Sequence, residues 1–222
     1  MPHDCIRDIL KLRINDGHIL RIIGKWLKAG VVEDGQRHYP ACGSPQGGVI
    51  SPLIANIFLH HVLDEWFVEQ AKPRLRGKSF LVRFADDFVL GCEDAEDAQR
   101  MMRVLPKRFA KFGLTIHPDK SKMIKFKWPS KFTAKPNTGT FDFLGFTHYW
   151  GLSRNGVWVI KRQTMKKRQA RAMRNLYQYC RFNRHEPVAE QFKKLSSKLH
   201  GLYNYYGIIG NYRALWTLYE EV

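Results

Sequence analysis

The 222 residues suffice for one large domain or two small ones, and 44% hydrophobic content supports a real core. Lys and Arg number 37 against 20 Asp and Glu, a formal net charge of +17; a compact fold carries that excess best against a polyanion, so nucleic acid is the expected partner and a merely soluble basic protein the alternative. The basic residues are interleaved with aromatics, and no apolar run reaches the roughly 18 residues that a membrane helix needs, which argues against a membrane role.

Cys5, Cys42, Cys92 and Cys180 lack the spacing of a zinc knuckle or a redox motif, and residues 1–12 lack a signal-peptide core. Reduced thiols in a soluble, cytoplasmic protein are expected. Residues 4–29 read as two helices: Ile6, Ile9 and Leu10 share one face, and Ile19, Leu20, Ile22, Ile23, Trp26 and Leu27 repeat the spacing. Asn15-Asp16-Gly17 punctuates them, Gly30 is a plausible C-cap, and residues 33–42 read as a polar stretch. After the loop Gly43-Ser44-Pro45-Gln46-Gly47-Gly48, Ser51 is expected as N-cap and Pro52 as first residue of a helix running to about Gln70.

Residues 80–92 change period. Phe80-Leu81-Val82-Arg83-Phe84 and Phe88-Val89-Leu90 flank Ala85-Asp86-Asp87, which predicts a β-hairpin with an acidic tip. Asp94 is expected to cap the next helix, with a kink at Pro106 and an end at Gly113. Residues 114–116, 123–126, 141–143 and 157–160 are strand candidates, and the pattern is helical from Arg162 onward, with breaks near residues 185–187 and 207–210. The best domain boundary lies near residue 160.

Asp86 and Asp87 stand within a run that otherwise reads as buried. Like charges about 4 Å apart repel by roughly 4 kcal/mol at an effective dielectric near 20, so either water or a cation must reach them. Alone, the pair reads first as a solvated turn, since Asp favours turns. Its company is more informative. The glycine-rich loop ahead of a helix lets a base pair or phosphate approach the backbone, and Gln46 adds an amide that can donate and accept. Downstream, Leu114-Thr115-Ile116-His117-Pro118-Asp119-Lys120 ends a β-prone run in a cation, and Phe141-Asp142-Phe143-Leu144-Gly145-Phe146 reads as an aromatic strand with a glycine kink.

Taken in order, Gly-Ser-Pro-Gln-Gly-Gly-Val-Ile-Ser-Pro-Leu-Ile-Ala-Asn, Val-Arg-Phe-Ala-Asp-Asp-Phe, Gly-Leu-Thr-Ile-His-Pro-Asp-Lys and Phe-Leu-Gly-Phe resemble group II intron reverse transcriptases and their bacterial relatives. The resemblance implies an α+β fold: a polymerase palm, an antiparallel sheet with helices packed on one face, over residues 1–160, and an all-α thumb or maturase-like domain over residues 161–222. It implies RNA-directed DNA synthesis by two-metal nucleotidyl transfer, with Mg2+ as cofactor and deoxynucleoside triphosphates, an RNA template, a DNA primer and structured intron RNA as partners. Asp86 and Asp87 match the palm carboxylates, with Asp86 favoured as direct metal ligand; Phe84 stands where Tyr is commoner. Lys120 matches a palm lysine. Pro45, Gln46 and Gly47 match the loop near the incoming nucleotide and templating base, and Phe143, Leu144 and Gly145 the strand that grips the primer. Lys166, Lys167, Arg168, Arg171 and Arg174 are the expected nucleic-acid contacts, while most of the Tyr203, Tyr205 and Tyr206 cluster is expected in the core.

The family has a further catalytic Asp upstream of a segment like Met1-Pro2-His3-Asp4. The expectation is therefore an amino-terminally truncated chain, inactive alone and helped by a chain that supplies the missing palm and fingers, with an unpaired sheet edge. A non-catalytic maturase remnant that binds intron RNA is the alternative.

Overall fold

The computed structural model describes residues 1–29, 31–33, 36–38, 49–129 and 138–220. The chain divides into two units, Met1–Met123 and Ile124–Val222.

In the first unit, α1 (His3–Lys11) buries Ile6, Ile9 and Leu10, and α2 (Gly17–Lys28) buries Ile23 and Leu27. Asp16 does more than punctuate: its carboxylate accepts from the His18 and Ile19 amides at 2.7 and 3.3 Å and caps α2. Two short strands, β1 (Val31–Glu33) and β2 (Gln36–His38), pair antiparallel where the sequence suggested a polar stretch. Helix α3 (Ser51–Leu59) starts one residue earlier than expected, with Ile50 as N-cap and Ser51 already helical. The same rod then widens into π-helical turns, His60–Glu65 and Phe67–Ala71, before a 3-10 turn at Lys72–Arg74. This change of pitch left no mark in the apolar spacing. Val62 and Leu63 on it are fully buried, and Arg108 reaches across to donate Nε–H to the Val62 carbonyl at 3.1 Å while its guanidinium lies 4.5 Å from the Phe112 ring centroid.

β3 (Ser79–Phe84) and β4 (Asp87–Cys92) form the expected hairpin. Helix α4 (Ala95–Ala110) is capped by Asp94, whose carboxylate accepts from the Glu96 and Asp97 amides at 2.6 and 3.1 Å, and it runs through Pro106. Asp97 is buried in its first turn and accepts from the backbone of Arg76 at 2.7 Å and Gly77 at 3.0 Å, which closes the approach to β3. Residues 114–116 form no strand; Leu114 and Ile116 instead pack irregular chain against the core of α1, α3 and α4.

In the second unit, β5 (Phe141–Phe143), β6 (Phe146–Leu152) and β7 (Trp158–Thr164) make an antiparallel sheet in that order. Residues 123–126 form no strand; the Phe126 ring packs on Phe141 and Trp150. Burial holds His148 below the usual imidazole pKa, and the ring lies flat on Phe141 at 4.8 Å. Three helices follow, α5 (Lys166–Phe182), α6 (Val188–Tyr206) and α7 (Tyr212–Glu220), with the breaks where the sequence placed them. Asn211 is buried between them: its Oδ1 accepts from the Thr164 amide, and its Nδ2 donates to Thr164 Oγ1 and the Tyr206 carbonyl, each at 2.8 Å. Among the described residues no helix is long and apolar enough to cross a membrane, and Cys5, Cys92 and Cys180 are free thiols.

Asp97→Ala strands two backbone donors and is expected to cost about 2–3 kcal/mol, whereas Asp94→Ala removes only a cap and costs about 1 kcal/mol. Urea denaturation of the two variants measures the difference, and equal losses contradict the role given to Asp97.

Candidate functional site

The register Phe84↔Asp87 leaves Ala85 and Asp86 as a two-residue turn. Ala85 has φ 52° and Asp86 has no positive φ, the pattern of a type II′ turn, which matches the right-handed twist of a hairpin. Strand alternation then sorts the side chains. Leu81, Phe88 and Leu90 pack against the helical core, and Phe80, Val82 and Phe84 point the other way, 58%, 48% and 65% exposed. Asp87, opposite Phe84, shares that outer face. Gly91 is needed there, because a Cβ would lie 2.3 Å from the Phe80 ring that covers it.

Asp86 and Asp87 are both exposed, and among the described residues neither carboxylate has a hydrogen-bond or ion-pair partner. The burial expected from the apolar flanks is thus corrected: the flanks pack on one face only, the tip projects into water, and solvent screens the repulsion between the acids.

What holds the turn is a residue the sequence reading passed over. Arg83 points inward from β3 and donates Nε–H and Nη2–H to the two carboxylate oxygens of Asp64 at 2.8 and 2.6 Å. Its Nη1 donates to Asn56 Oδ1 at 2.9 Å and to the Ala85 carbonyl at 2.8 Å. Side-chain exposures of 12% for Arg83 and 26% for Asp64 show the pair to be largely withdrawn from water. Burial by itself would raise the Asp64 pKa; the hydrogen bonds from Arg83 and from His60 prevail and hold it below the ordinary 3.8. A groove of about 350 Å³ lies beside the pair, lined by Phe67, Val68, Lys72, Phe80 and Leu81, and among the described residues β3 pairs with β4 alone.

The other expected site residues are placed unevenly. Pro45, Gln46 and Gly47 lie outside the described residues. Lys120 is exposed in the turn after His117, without a hydrogen bond or ion pair to Asp86 or Asp87. Phe143 ends β5, but Leu144 and Gly145 are no kinked strand: with φ 51° and 78° they are the type I′ turn between Phe143 and Phe146. That turn is fastened by the Tyr205 hydroxyl, which donates to the Leu144 carbonyl at 2.9 Å, and by the Met165 amide, which donates to the Gly145 carbonyl at 3.0 Å. Tyr205 is therefore exposed yet structural, and Tyr203 and Tyr206 are half-buried.

Helix α5 separates its cations by face. Lys167, Arg171 and Arg174 follow helical spacing on one exposed stripe, continued by Arg181, about 21 Å long at 1.5 Å per residue. Lys166 flanks the stripe, and Arg168 turns toward α6 and α7, where it borders a crevice with Gln169, Tyr206 and Leu218. The start of α5 has Met165 as N-cap with no side-chain cap hydrogen bond and no acid in the first turn. Three cations therefore crowd the positive end of the helix dipole, each unfavourable by a few tenths of a kcal/mol or more. A bound anion reverses that penalty.

A model of the reverse transcriptase (RNA-dependent DNA polymerase) family matches residues 3–148. The chain belongs to the reverse transcriptase family. It is 43% identical over 79 residues to the group II intron-encoded protein LtrA of Lactococcus lactis subsp. cremoris, covering 36% of this chain and 13% of that protein. It is 37% identical over 83 residues to an uncharacterized 91 kDa protein in the cob intron of Schizosaccharomyces pombe, covering 37% and 10% respectively. Telomerase reverse transcriptase of Takifugu rubripes is 30% identical over 102 residues, 46% of this chain and 9% of that one. The chain thus spans about a tenth of the length of these relatives, and the intron-encoded matches support a reverse transcriptase/maturase of the group II intron type.

For a reverse transcriptase the donor chemistry at the turn suits Mg2+, a hard cation that takes one or two carboxylates and completes its shell with water and substrate phosphates. Among the described residues no group of three or more His, Cys, Asp or Glu side chains gathers as a metal cage.

Two outcomes follow for the turn. Ala85→Gly removes a strained positive φ and raises stability by up to about 1 kcal/mol, read by urea denaturation. Because the folded-state pKa of Asp64 is depressed, its contribution is complete above about pH 4 and lost as pH falls through the lowered folded value. The stability gap between wild type and Asp64→Asn is therefore expected to be full at pH 7 and to close below pH 3.8. A gap constant from pH 7 to pH 2 contradicts the ion pair.

Proposed function

We propose that the chain is part of an RNA-directed DNA polymerase of the group II intron type, with Asp86 and Asp87 as its metal-binding carboxylates. The observation that carries this reading is the hairpin: in a chain of this family, two adjacent acids, one in a two-residue turn and one at the start of β4, stand exposed with no partner among the described residues. Asp86, supported by Asp87, would hold Mg2+, which when bound would supply the charge that acidifies a primer 3′-hydroxyl and offsets the charge of a leaving pyrophosphate, in the two-metal manner. Lys120 supplies charge or a proton toward the pyrophosphate, Pro45, Gln46 and Gly47 lie against the incoming deoxynucleoside triphosphate and templating base, and Phe143, Leu144 and Gly145 grip the DNA primer.

In this reading residues 1–160 are palm and residues 161–222 thumb. Lys167, Arg171 and Arg174, with Lys166 and Arg168 beside them, track the phosphates of template or structured intron RNA. The edge of β3, which has no second strand partner among the described residues, would pair with a strand supplied by a helper chain.

The second reading, an intron RNA-binding maturase without catalysis, is favoured by the uncapped cationic start of α5, which needs only an anion. Replacing both Asp86 and Asp87 by Asn separates the two. The polymerase reading expects wild type to bind nucleotide with Mg2+ and the double variant to lose that binding; RNA affinity untouched by the double substitution, with no Mg2+-dependent nucleotide binding in wild type to lose, supports the maturase reading. Arg171→Gln with Arg174→Gln is expected to weaken RNA binding and to lower the slope of log K against log salt by about 1 per lost phosphate contact. An unchanged slope removes α5 from the interface.

A further inference from the structure

We propose that Arg83 is a positioning residue for the acidic turn, with Asp64 and Asn56 as its anchors. The inference rests on the reading of Asp86 and Asp87 as metal carboxylates and adds what sets their position. A two-residue turn with a non-glycine residue at φ 52° is strained. Among the described residues neither carboxylate accepts a hydrogen bond that closes the turn. Beyond the strand ladder that ends at Phe84↔Asp87, the side-chain restraint comes from one planar group two residues from Ala85. The fork of Nε and Nη2 sits on Asp64, and Nη1 divides its donors between Asn56 and the Ala85 carbonyl. A guanidinium is rigid, so fixing one side fixes the other.

The anchors matter as much as the arginine. Asp64 lies in the π-helical segment beside the fully buried Val62 and Leu63, and Asn56 lies on α3 between the buried Ile54 and Phe58. The turn carbonyl is thereby referenced to the best-packed helix of its unit. Asp64 also neutralises the arginine. Without that carboxylate, a free guanidinium within a few residues of Asp86 and Asp87 competes with a cation for them. Removal of Asp64 should therefore harm metal binding more than removal of Asn56.

The test uses the full chain, Mn2+ as probe and two readouts: Mn2+ affinity from the electron paramagnetic resonance of the free ion, and hydrogen exchange of the amides of residues 85–88. Wild type is expected to bind Mn2+, and Asp86→Asn with Asp87→Asn to abolish it. Arg83→Lys keeps the charge but loses the fork; it and Asn56→Ala are expected to weaken Mn2+ about tenfold and speed exchange at the turn at least tenfold. Asp64→Ala is expected to weaken Mn2+ further, with partial rescue by Asp64→Glu. Arg76→Ala, which breaks the exposed Arg76–Glu96 pair, should change neither readout. Wild-type exchange rates at the turn in Arg83→Lys overturn the proposal, as does unchanged Mn2+ affinity in a folded Arg83→Lys. Absence of Mn2+ binding in wild type overturns the metal reading instead, and the exchange rates then decide the Arg83 clamp alone.

Discussion

One guanidinium connects the acidic tip of a hairpin to the buried helix beneath it, and the candidate site has its shape because of that connection. An ion pair withdrawn from water is costly, since the attraction between its charges must first offset their lost hydration. Here the cost is met by geometry: Arg83 uses its planar fork on Asp64 and its remaining donors on Asn56 and the Ala85 carbonyl. The outcome is a rigid tip on a two-stranded sheet that has no third strand among the described residues to stiffen it.

The same logic of local cost against remote gain separates the two units. In α4 everything agrees with the helix dipole: Asp94 caps it, Glu96 and Asp97 occupy its first turn, and Lys107 and Arg108 its last. Helix α5 opposes its dipole with Lys166, Lys167 and Arg168 at the start and no side-chain cap. α4 is stabilised by its own termini, whereas the start of α5 leaves its dipole uncompensated. The β5–β6 turn and the Asn211 clasp show that the surrounding scaffold is tightly hydrogen-bonded, so the poor start of α5 is no sign of a loose unit.

The hairpin was legible because strand alternation on both sides of Asp86 and Asp87 admits little else, and the cap at Asp94 because a carboxylate stood before a helical stripe. The role proposed for the two acids comes only from the resemblance to reverse transcriptases; charge and spacing alone allow a solvated turn. The Arg83–Asp64 pair was hidden by its separation of 19 residues and by a π-helical widening that apolar periodicity does not register. β6 was missed because Gly151 and the mixed run Thr147-His148-Tyr149 obscure its alternation, and the turn at Leu144-Gly145 because a leucine at positive φ is rarely expected. Residues 114–116 show the opposite failure: β-branched and apolar side chains there serve the core without a strand partner.

The central proposal is that a divalent cation is drawn to Asp86 and Asp87 in preference to the other acidic groups among the described residues. Titrating substoichiometric Mn2+ into isotopically labelled protein and following amide line broadening by NMR locates the ion directly. The account predicts that the amides of residues 84–88 broaden first, with the effect falling off along β3 and β4. Broadening centred on another acidic group, such as Asp94 and Glu96, with residues 84–88 left sharp, would contradict it.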